Sequence, residues 1–152
     1  MKKIIFLLTI STALLISSFT YAADSEPSFK AKQAFNSEFT QVKDVEWTTL
    51  NKEGVYQVKF TFNNEILQAF FTEDGEFLGT TRQILKSQLP ILVLTELEKK
   101  YAGARVITIF EHSKSDGLDY YITLTTNKGA IIVKATGNGD LSLYKKNFKQ
   151  YL

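Results

Sequence analysis

The 152-residue chain contains no cysteine, one histidine, two prolines and one methionine. Without cysteine it can form no disulfide, carry no lipoprotein anchor and use no thiol nucleophile. A structural zinc site is excluded as well, because such sites draw their ligands mainly from cysteine and histidine. The folded state must therefore be stabilised by its core, in agreement with the 12 phenylalanines, 7 tyrosines and one tryptophan of the sequence.

The first 22 residues have the pattern of a cleaved export signal. Lys2 and Lys3 precede an apolar run over residues 4–16, and Ala22 ends a stretch of small residues at the expected cleavage site. The apolar run is shorter than the ~20 residues that span a bilayer, and no basic flank follows it. The sequence therefore predicts a signal peptide over residues 1–22 and no stable membrane anchor after its removal.

The predicted mature chain has no excess of charge. The full sequence has 18 Lys and Arg against 16 Asp and Glu, but Lys2 and Lys3 leave with the signal. The remaining 130 residues are neutral, so the composition gives no support for binding to nucleic acid. A chain of this length is expected to fold as a single unit that buries about two-thirds of its unfolded surface.

Two halves of the mature chain show the same order of elements, one helix followed by four strands. The offset between them is nearly constant, with Phe39 matching Tyr101, Phe62 matching Leu124 and Gly75 matching Gly139. The sequence therefore predicts one unit over residues 23–152 that consists of two repeats, at about 28–82 and 87–146.

Hydrophobic periodicity places the elements within these repeats. The predicted helices cover residues 29–39 and 90–102, and the predicted strands cover residues 42–50, 56–62, 66–72, 77–82, 105–111, 118–126, 130–136 and 141–146. Both helices and most strands have one apolar face. The sequence thus predicts an α+β fold in which the helices pack on one face of an antiparallel sheet and the other face meets solvent.

Several of these features resemble a known family. They are the helix followed by four strands, Val45-x-Trp47 in the first hairpin, Asp74-Gly75-x-x-Leu78 at a turn, and Leu89-Pro90 before the second helix. This pattern is similar to the PepSY-like domain of the β-lactamase-inhibitor-like (BLIP-like) exported proteins, which are common in Bacteroidota. The resemblance covers about residues 28–146.

The resemblance implies a tandem pair of α+β modules that form a curved antiparallel sheet with helices on its convex side. It also implies a periplasmic or secreted protein of a Gram-negative bacterium. In β-lactamase inhibitor proteins the concave side and the hairpin tips hold the target enzyme, so a protein-binding role is implied as well. The disulfides of such inhibitors are absent from this chain.

No group of residues has the spacing of a catalytic or metal site. His112, Ser113 and Asp116 are neighbours in one predicted polar turn, whereas the members of a catalytic triad come from separate elements. We therefore interpret His112 as a solvated turn residue. The acidic residues around Gly75 form a segment too short for a calcium-binding loop. The sequence predicts no catalytic residue, no metal and no cofactor.

The solvent-facing side of the strands is the predicted binding surface. Aromatic residues there can bury area against a partner, and polar neighbours can supply hydrogen bonds. An ordinary hydrated sheet face is the alternative, because Thr and Tyr favour strands in any case. The candidate residues are Lys59, Phe70, Tyr121, Thr123 and Tyr144, together with hairpin tips at residues 51–54 and 113–117.

These observations favour an exported, non-enzymatic module that binds another envelope or secreted protein through its open sheet face. The alternative is a protein that binds a small molecule or an envelope fragment in a pocket between helices and sheet, near Trp47. A hydrolase is disfavoured, because general acid–base chemistry requires a positioned pair of groups that the sequence does not offer. The identity of the partner and the oligomeric state are left open.

Overall fold

The computed structural model describes residues 26–50 and 54–146, so the predicted signal peptide and most of the first hairpin tip lie outside the described residues. Within these residues there are two α-helices, α1 (Phe29–Glu38) and α2 (Ile91–Lys100), and a short 3₁₀ helix (Lys86–Gln88) precedes α2. The strands are β1 (Lys43–Thr49), β2 (Val55–Phe62), β3 (Glu65–Thr72), β4 (Phe77–Gln83), β5 (Arg105–Lys114), β6 (Gly117–Thr126), β7 (Gly129–Thr136) and β8 (Leu141–Lys146).

The eight strands form an antiparallel sheet whose hydrogen-bonded order follows the chain from β1 to β8. The α+β class and the antiparallel sheet predicted from the sequence are therefore confirmed, whereas the tandem repeat stays a prediction. Within the described part of the chain, neither helix has the length and apolar character needed to cross a membrane.

The chain divides into two units. Of the described residues, those before position 65 together with residues 68–78 form the first unit. Residues 65–67 together with those from position 79 onward form the second unit. Each unit contains one of the two helices, and each has its own packing.

In the first unit, α1 packs on the sheet through aromatic rings. Ser28 caps the helix, because its hydroxyl accepts a hydrogen bond of 3.0 Å from the amide of Ala31 and donates one of 2.6 Å to the carbonyl of Glu73. Phe35 is the centre of this core and is 2% exposed. Its ring centroid lies 5.1–6.2 Å from those of Phe39, Trp47, Phe60 and Phe71.

In the second unit, α2 contributes Val93 and Leu97 to a core that is mainly aliphatic. Alternate residues of β6 face this core, because successive side chains of a strand point to opposite faces. The other buried members of the core are Ile84, Leu89, Ile109, Tyr120, Ile122, Leu124, Val133 and Ala135. The residues between them on β5, β6 and β7 belong to the opposite face.

The hairpin between β5 and β6 is tighter than the sequence pattern predicts. β5 continues to Lys114 and β6 begins at Gly117, which leaves a turn of only Ser115 and Asp116. The predicted turn over residues 113–117 was therefore too wide. As a result His112 lies within a strand, where it pairs with Asp119 of β6.

The first strand is irregular. Its pairing with β2 shifts register between Lys43 and Glu46. Asp44 has a φ of 53° and Gln41, just before the strand, has a φ of 60°. Both are left-handed conformations that non-glycine residues adopt rarely, so β1 is bent at this point.

Candidate functional site

The structure buries most of the side chains that the sequence pattern assigned to an open sheet face. Phe70 is 0% exposed, Tyr121 is 3% exposed and Thr123 is 5% exposed. The prediction that these three residues face solvent is therefore wrong. Alternation along a strand shows which side chains share a face, but it does not show whether that face is covered. Their part in binding stays a prediction.

Lys59 is the candidate residue that does reach solvent, and it lies in the first unit. Its Nζ is 3.3 Å from Oε2 of Glu46, and the two side chains are 47% and 69% exposed. Such an exposed ion pair contributes little to stability. Lys59 is therefore available for contact with another molecule, whereas Phe70 of the same unit is a packing residue.

In the second unit, the face opposite the aliphatic core carries buried and half-buried polar and aromatic side chains from β5, β6, β7 and β8. Cross-strand pairing brings them together, since His112 pairs with Asp119 and Tyr121 pairs with Lys134. This group, called the polar cluster below, consists of His112, Lys114, Asp119, Tyr121, Lys134 and Tyr144.

Asp119 connects the charged members of the polar cluster. Its Oδ2 lies 2.9 Å from Nζ of Lys114 and 3.0 Å from Nζ of Lys134. Lys114 also contacts Oδ1 of Asp116 at 3.2 Å. The side chains of Lys114 and Asp119 are only 15% and 10% exposed, so these contacts are shielded from water.

The ionic contacts determine the charge of both buried partners. Burial alone would raise the pKa of Asp119, but the two lysine ammonium groups outweigh burial and hold that pKa below its usual value. Burial alone would lower the pKa of Lys114, but the carboxylates of Asp119 and Asp116 outweigh it and raise that pKa. Both side chains are therefore charged at neutral pH.

His112 is 4% exposed, and neither of its ring nitrogens has a hydrogen-bond partner in the part of the chain that the structure describes. Burial, assisted by the charge of Lys114, lowers the pKa of His112 to about 4, so the imidazole is neutral at neutral pH. The interpretation of His112 as a solvated turn residue is wrong, because β5 continues past it. A Cβ at Gly79 would lie 3.1 Å from Nε2 of His112 and 2.5 Å from the carbonyl oxygen of Ser113, so only glycine leaves room here.

Tyr121 and Tyr144 form the aromatic part of the polar cluster. Their ring centroids are 5.1 Å apart at an interplanar angle of 77°, an edge-to-face contact. Lys134 Nζ lies 6.0 Å from the Tyr121 ring centroid, and His112 lies 6.3 Å from it on centroids. The hydroxyl of Tyr144 is buried and has no hydrogen-bond partner among the described residues.

A bulge in β8 directs Tyr144 to this face. The pairing of β7 with β8 shifts register between Ile132 and Val133, so that Ile132 pairs with Lys145 and Val133 pairs with Leu143. Tyr144 is left as the extra residue of the bulge, a device that re-aims a side chain. The register of this strand was ambiguous in the sequence, and the bulge is the reason.

Tyr121 and Tyr144 were among the residues predicted from the sequence, whereas Lys114, Asp119 and Lys134 were not. One signal was available, because Lys134 interrupts an apolar strand that otherwise reads Ala-Ile-Ile-Val. A lysine at such a position indicates either a side chain that reaches solvent or a nearby anion that pairs with it. Over residues 26–50 and 54–146, no three histidine or carboxylate side chains lie together as a metal site would require.

No family model and no curated protein matches the chain. Solved structures do match. A BLIP-like protein of Bacteroides fragilis is 16% identical over 86% of this chain and 95% of that chain, with a TM-score of 0.67. A DUF2874 family protein of Bacteroides ovatus is 15% identical over 78% of this chain and 89% of that chain, with a TM-score of 0.68.

A third match is a Bacteroides eggerthii protein whose name suggests a periplasmic location. It is 12% identical over 77% of this chain and 86% of that chain, with a TM-score of 0.68. At these identities the likeness concerns the fold alone. The chain therefore shares its fold with BLIP-like and DUF2874 proteins of Bacteroides.

Proposed function

We propose that the protein is an exported, non-enzymatic module that binds another envelope or secreted protein at the exposed border of the sheet face that carries the polar cluster. This proposal depends mainly on one observation: both ring nitrogens of His112 and the hydroxyl of Tyr144 are buried and have no hydrogen-bond partner among the described residues. Each such group costs about 1–3 kcal/mol. A sheet face that served only for packing would be expected to carry apolar residues instead.

Two charged groups at the border of the polar cluster give a partner its first contacts. The side chain of Lys134 is 33% exposed and that of Asp116 is 68% exposed. Asp119 and the ring of Tyr121 hold Lys134 in one position. Because these side chains are already ordered, a partner loses less conformational entropy when it binds them.

Export to the periplasm or beyond is part of this proposal. It is supported by the signal pattern of residues 1–22 and by the fold shared with proteins of Bacteroides, one of which has a name that suggests the periplasm. The tandem PepSY-like arrangement also belongs to the proposal. It is supported by two turns, at residues 72–76 and 136–140, whose hydrogen bonds correspond.

The alternative of a small-molecule pocket near Trp47 finds less support. The centroid of the Trp47 ring lies 5.5 Å from that of Phe35, 6.2 Å from that of Phe71 and 6.5 Å from that of Tyr56. These aromatic rings occupy the space beside the indole where a ligand would have to sit. The packing therefore favours the protein-binding function.

The test is recovery of a partner from an envelope extract of the native host. The mature protein, coupled to beads, is compared with Asp116→Lys and Lys134→Ala variants and with a Lys32→Ala control on α1. We expect the recovery of a specific protein to fall about tenfold with Asp116→Lys and with Lys134→Ala, and to be unchanged with the control. Lys59→Ala tests the first unit separately. Equal recovery by all folded variants would reject the polar cluster as the binding surface.

A further inference from the structure

A groove of about 820 Å³ lies in the second unit, on the side of the aliphatic core. It is bordered by the residues that follow α2, by the turn between β6 and β7 and by the end of β8. Its lining includes the apolar side chains of Tyr101, Ile131 and Leu143, which we call the floor, and the exposed lysines Lys100, Lys128 and Lys146, which we call the rim.

The floor of the groove is part of the folded core. Tyr101 and Ile131 are half-buried and pack directly against the core cluster. Leu143 remains 44% exposed, which is high for a large apolar side chain that borders a core. The floor is therefore a fixed surface on which an aliphatic side chain can be buried.

The rim of the groove is positively charged. Its three lysines are exposed, and no aspartate or glutamate is present among the residues that line the groove, all of which the structure describes. Lys100 is held in place, because its Nζ donates a 3.0 Å hydrogen bond to the carbonyl of Leu141 and lies 5.9 Å from the Tyr101 ring. Two acidic residues, Glu96 and Asp140, line a neighbouring cavity of about 380 Å³ that shares Lys100 with the groove.

We propose that this groove binds an acidic segment of a partner protein in which carboxylate and aliphatic side chains alternate. The carboxylates pair with the three rim lysines, and the aliphatic side chains lie on the floor. Because the predicted mature chain is neutral, this excess of positive charge belongs to the groove and does not reflect the composition of the whole chain. The inference rests on the proposed binding function but concerns a surface other than the polar cluster.

Three fluorescent hexapeptides take the place of the partner segment in an anisotropy experiment with the mature protein. One alternates Glu with Leu, the second alternates Gln with Leu, and the third alternates Lys with Leu. We expect the Glu peptide to bind most tightly, the Gln peptide less tightly and the Lys peptide least. We also expect the Glu peptide to dissociate as the salt concentration is raised, because salt screens its ion pairs.

Charge-matched variants locate the peptide on the protein. The triple variant Lys100→Gln, Lys128→Gln and Lys146→Gln is compared with Lys32→Gln, Lys43→Gln and Lys99→Gln, which removes three lysines elsewhere. The groove variant should raise the dissociation constant of the Glu peptide about tenfold or more, and the control should leave it within about twofold. Leu143→Ser should weaken binding of both the Glu and the Gln peptide.

Lys100 also makes a structural hydrogen bond, so a double variant, Lys128→Gln with Lys146→Gln, leaves it in place. If the groove and control variants weaken the Glu peptide equally, or if none of the peptides binds, the inference is overturned. Binding of phosphatidylglycerol vesicles in place of the Glu peptide would overturn it as well and would assign the groove to a membrane surface. Partner recovery that still depends on Lys134 would then show that the proposed function survives without the groove.

Discussion

The two units place a helix on antiparallel strands, yet they fill the interface with different side chains. In the first unit Phe35 is surrounded by four aromatic rings, whereas in the second unit Leu97 and Val93 pack against Ile, Leu and Val. Aromatic rings impose preferred edge-to-face geometries, while aliphatic side chains accept a wider range of contacts. The same order of elements is thus compatible with two kinds of core.

The turns at residues 72–76 and 136–140 differ in sequence but agree in geometry. In both turns the amide of the first residue donates a hydrogen bond to the carbonyl of the last residue, at 3.0 Å in one turn and 3.1 Å in the other. The glycine amide donates a second hydrogen bond, of 3.0 Å in each turn, to the carbonyl of the first residue. The first threonine hydroxyl also accepts from the last amide, at 3.0 Å and 3.3 Å. A type I turn followed by a left-handed glycine is a common hairpin connection, so the agreement shows that the two units use one turn type at corresponding places in their order of elements.

The ion pairs of the two units, unlike the turns, differ in how far they are buried. Lys30 and Asp74 of the first unit are 2.8 Å apart, with side chains that are 65% and 86% exposed. Lys114 and Asp119 of the second unit are 2.9 Å apart, with side chains that are 15% and 10% exposed. Nearly equal distances therefore have unequal consequences, since water screens the first pair much more than the second.

The largest expected effect is in the aromatic core. Phe35→Ala should lower the free energy of unfolding by about 3–5 kcal/mol, because it removes a ring that contacts four others. Urea denaturation measures the change, and Leu97→Ala gives the matching value for the aliphatic core. Phe29→Ala is the control, since Phe29 is 79% exposed. If Phe35→Ala lowered the free energy of unfolding less than Leu97→Ala does, the aromatic core would not be the more sensitive of the two.

The next effect concerns the buried ion pair. Asp119→Ala should lower the free energy of unfolding by about 3 kcal/mol, because it leaves two lysines close together without their shared carboxylate. Asp74→Asn, in the exposed pair of the first unit, should cause no measurable change. Equal losses in the two variants would show that burial does not separate these pairs.

The two equivalent glycines should differ in their tolerance of a side chain. A Cβ at Gly75 would lie 2.8 Å from the carbonyl oxygen of Lys30, and one at Gly139 would lie 3.2 Å from that of Leu92. Both have positive φ, so alanine is strained at either position. We expect Gly75→Ala to cost about 2 kcal/mol and Gly139→Ala less than that. Gly103→Ala, which has positive φ but open space around the Cβ, measures the backbone strain alone.

The smallest effect is a dependence of stability on pH that belongs to the second unit. The unfolded imidazole of His112 takes up a proton below pH 6.5, whereas burial keeps the folded pKa at about 4. Stability should therefore fall as the pH drops through this interval, by about 1–2 kcal/mol between pH 7 and pH 5. His112→Gln should lose less stability than the wild type over the same range in parallel urea titrations. If the free energy of unfolding changed equally with pH in both proteins, a group other than His112 would be the cause of the acid sensitivity.

The sequence was sufficient to predict the elements, because strand alternation and turn residues are local signals. The helix at residues 29–39 and the strand at residues 118–126 were predicted almost to the residue. The polar cluster could not be predicted in the same way, since Lys114, Asp119 and Lys134 meet only when three strands adopt one register. His112 was misplaced for a related reason, because a polar stretch resembles a turn until its cross-strand partners are known.

The bend in β1 affects how readily a second copy of the protein could pair with this outer strand. A straight outer strand presents a row of unused amide and carbonyl groups on which a second chain can extend the sheet. The register shift between Lys43 and Glu46, with the left-handed Asp44, interrupts that row after a few residues. We expect this interruption to protect the chain against fibrous self-association through β1 at high concentration, and we expect a straightened β1 to lose that protection.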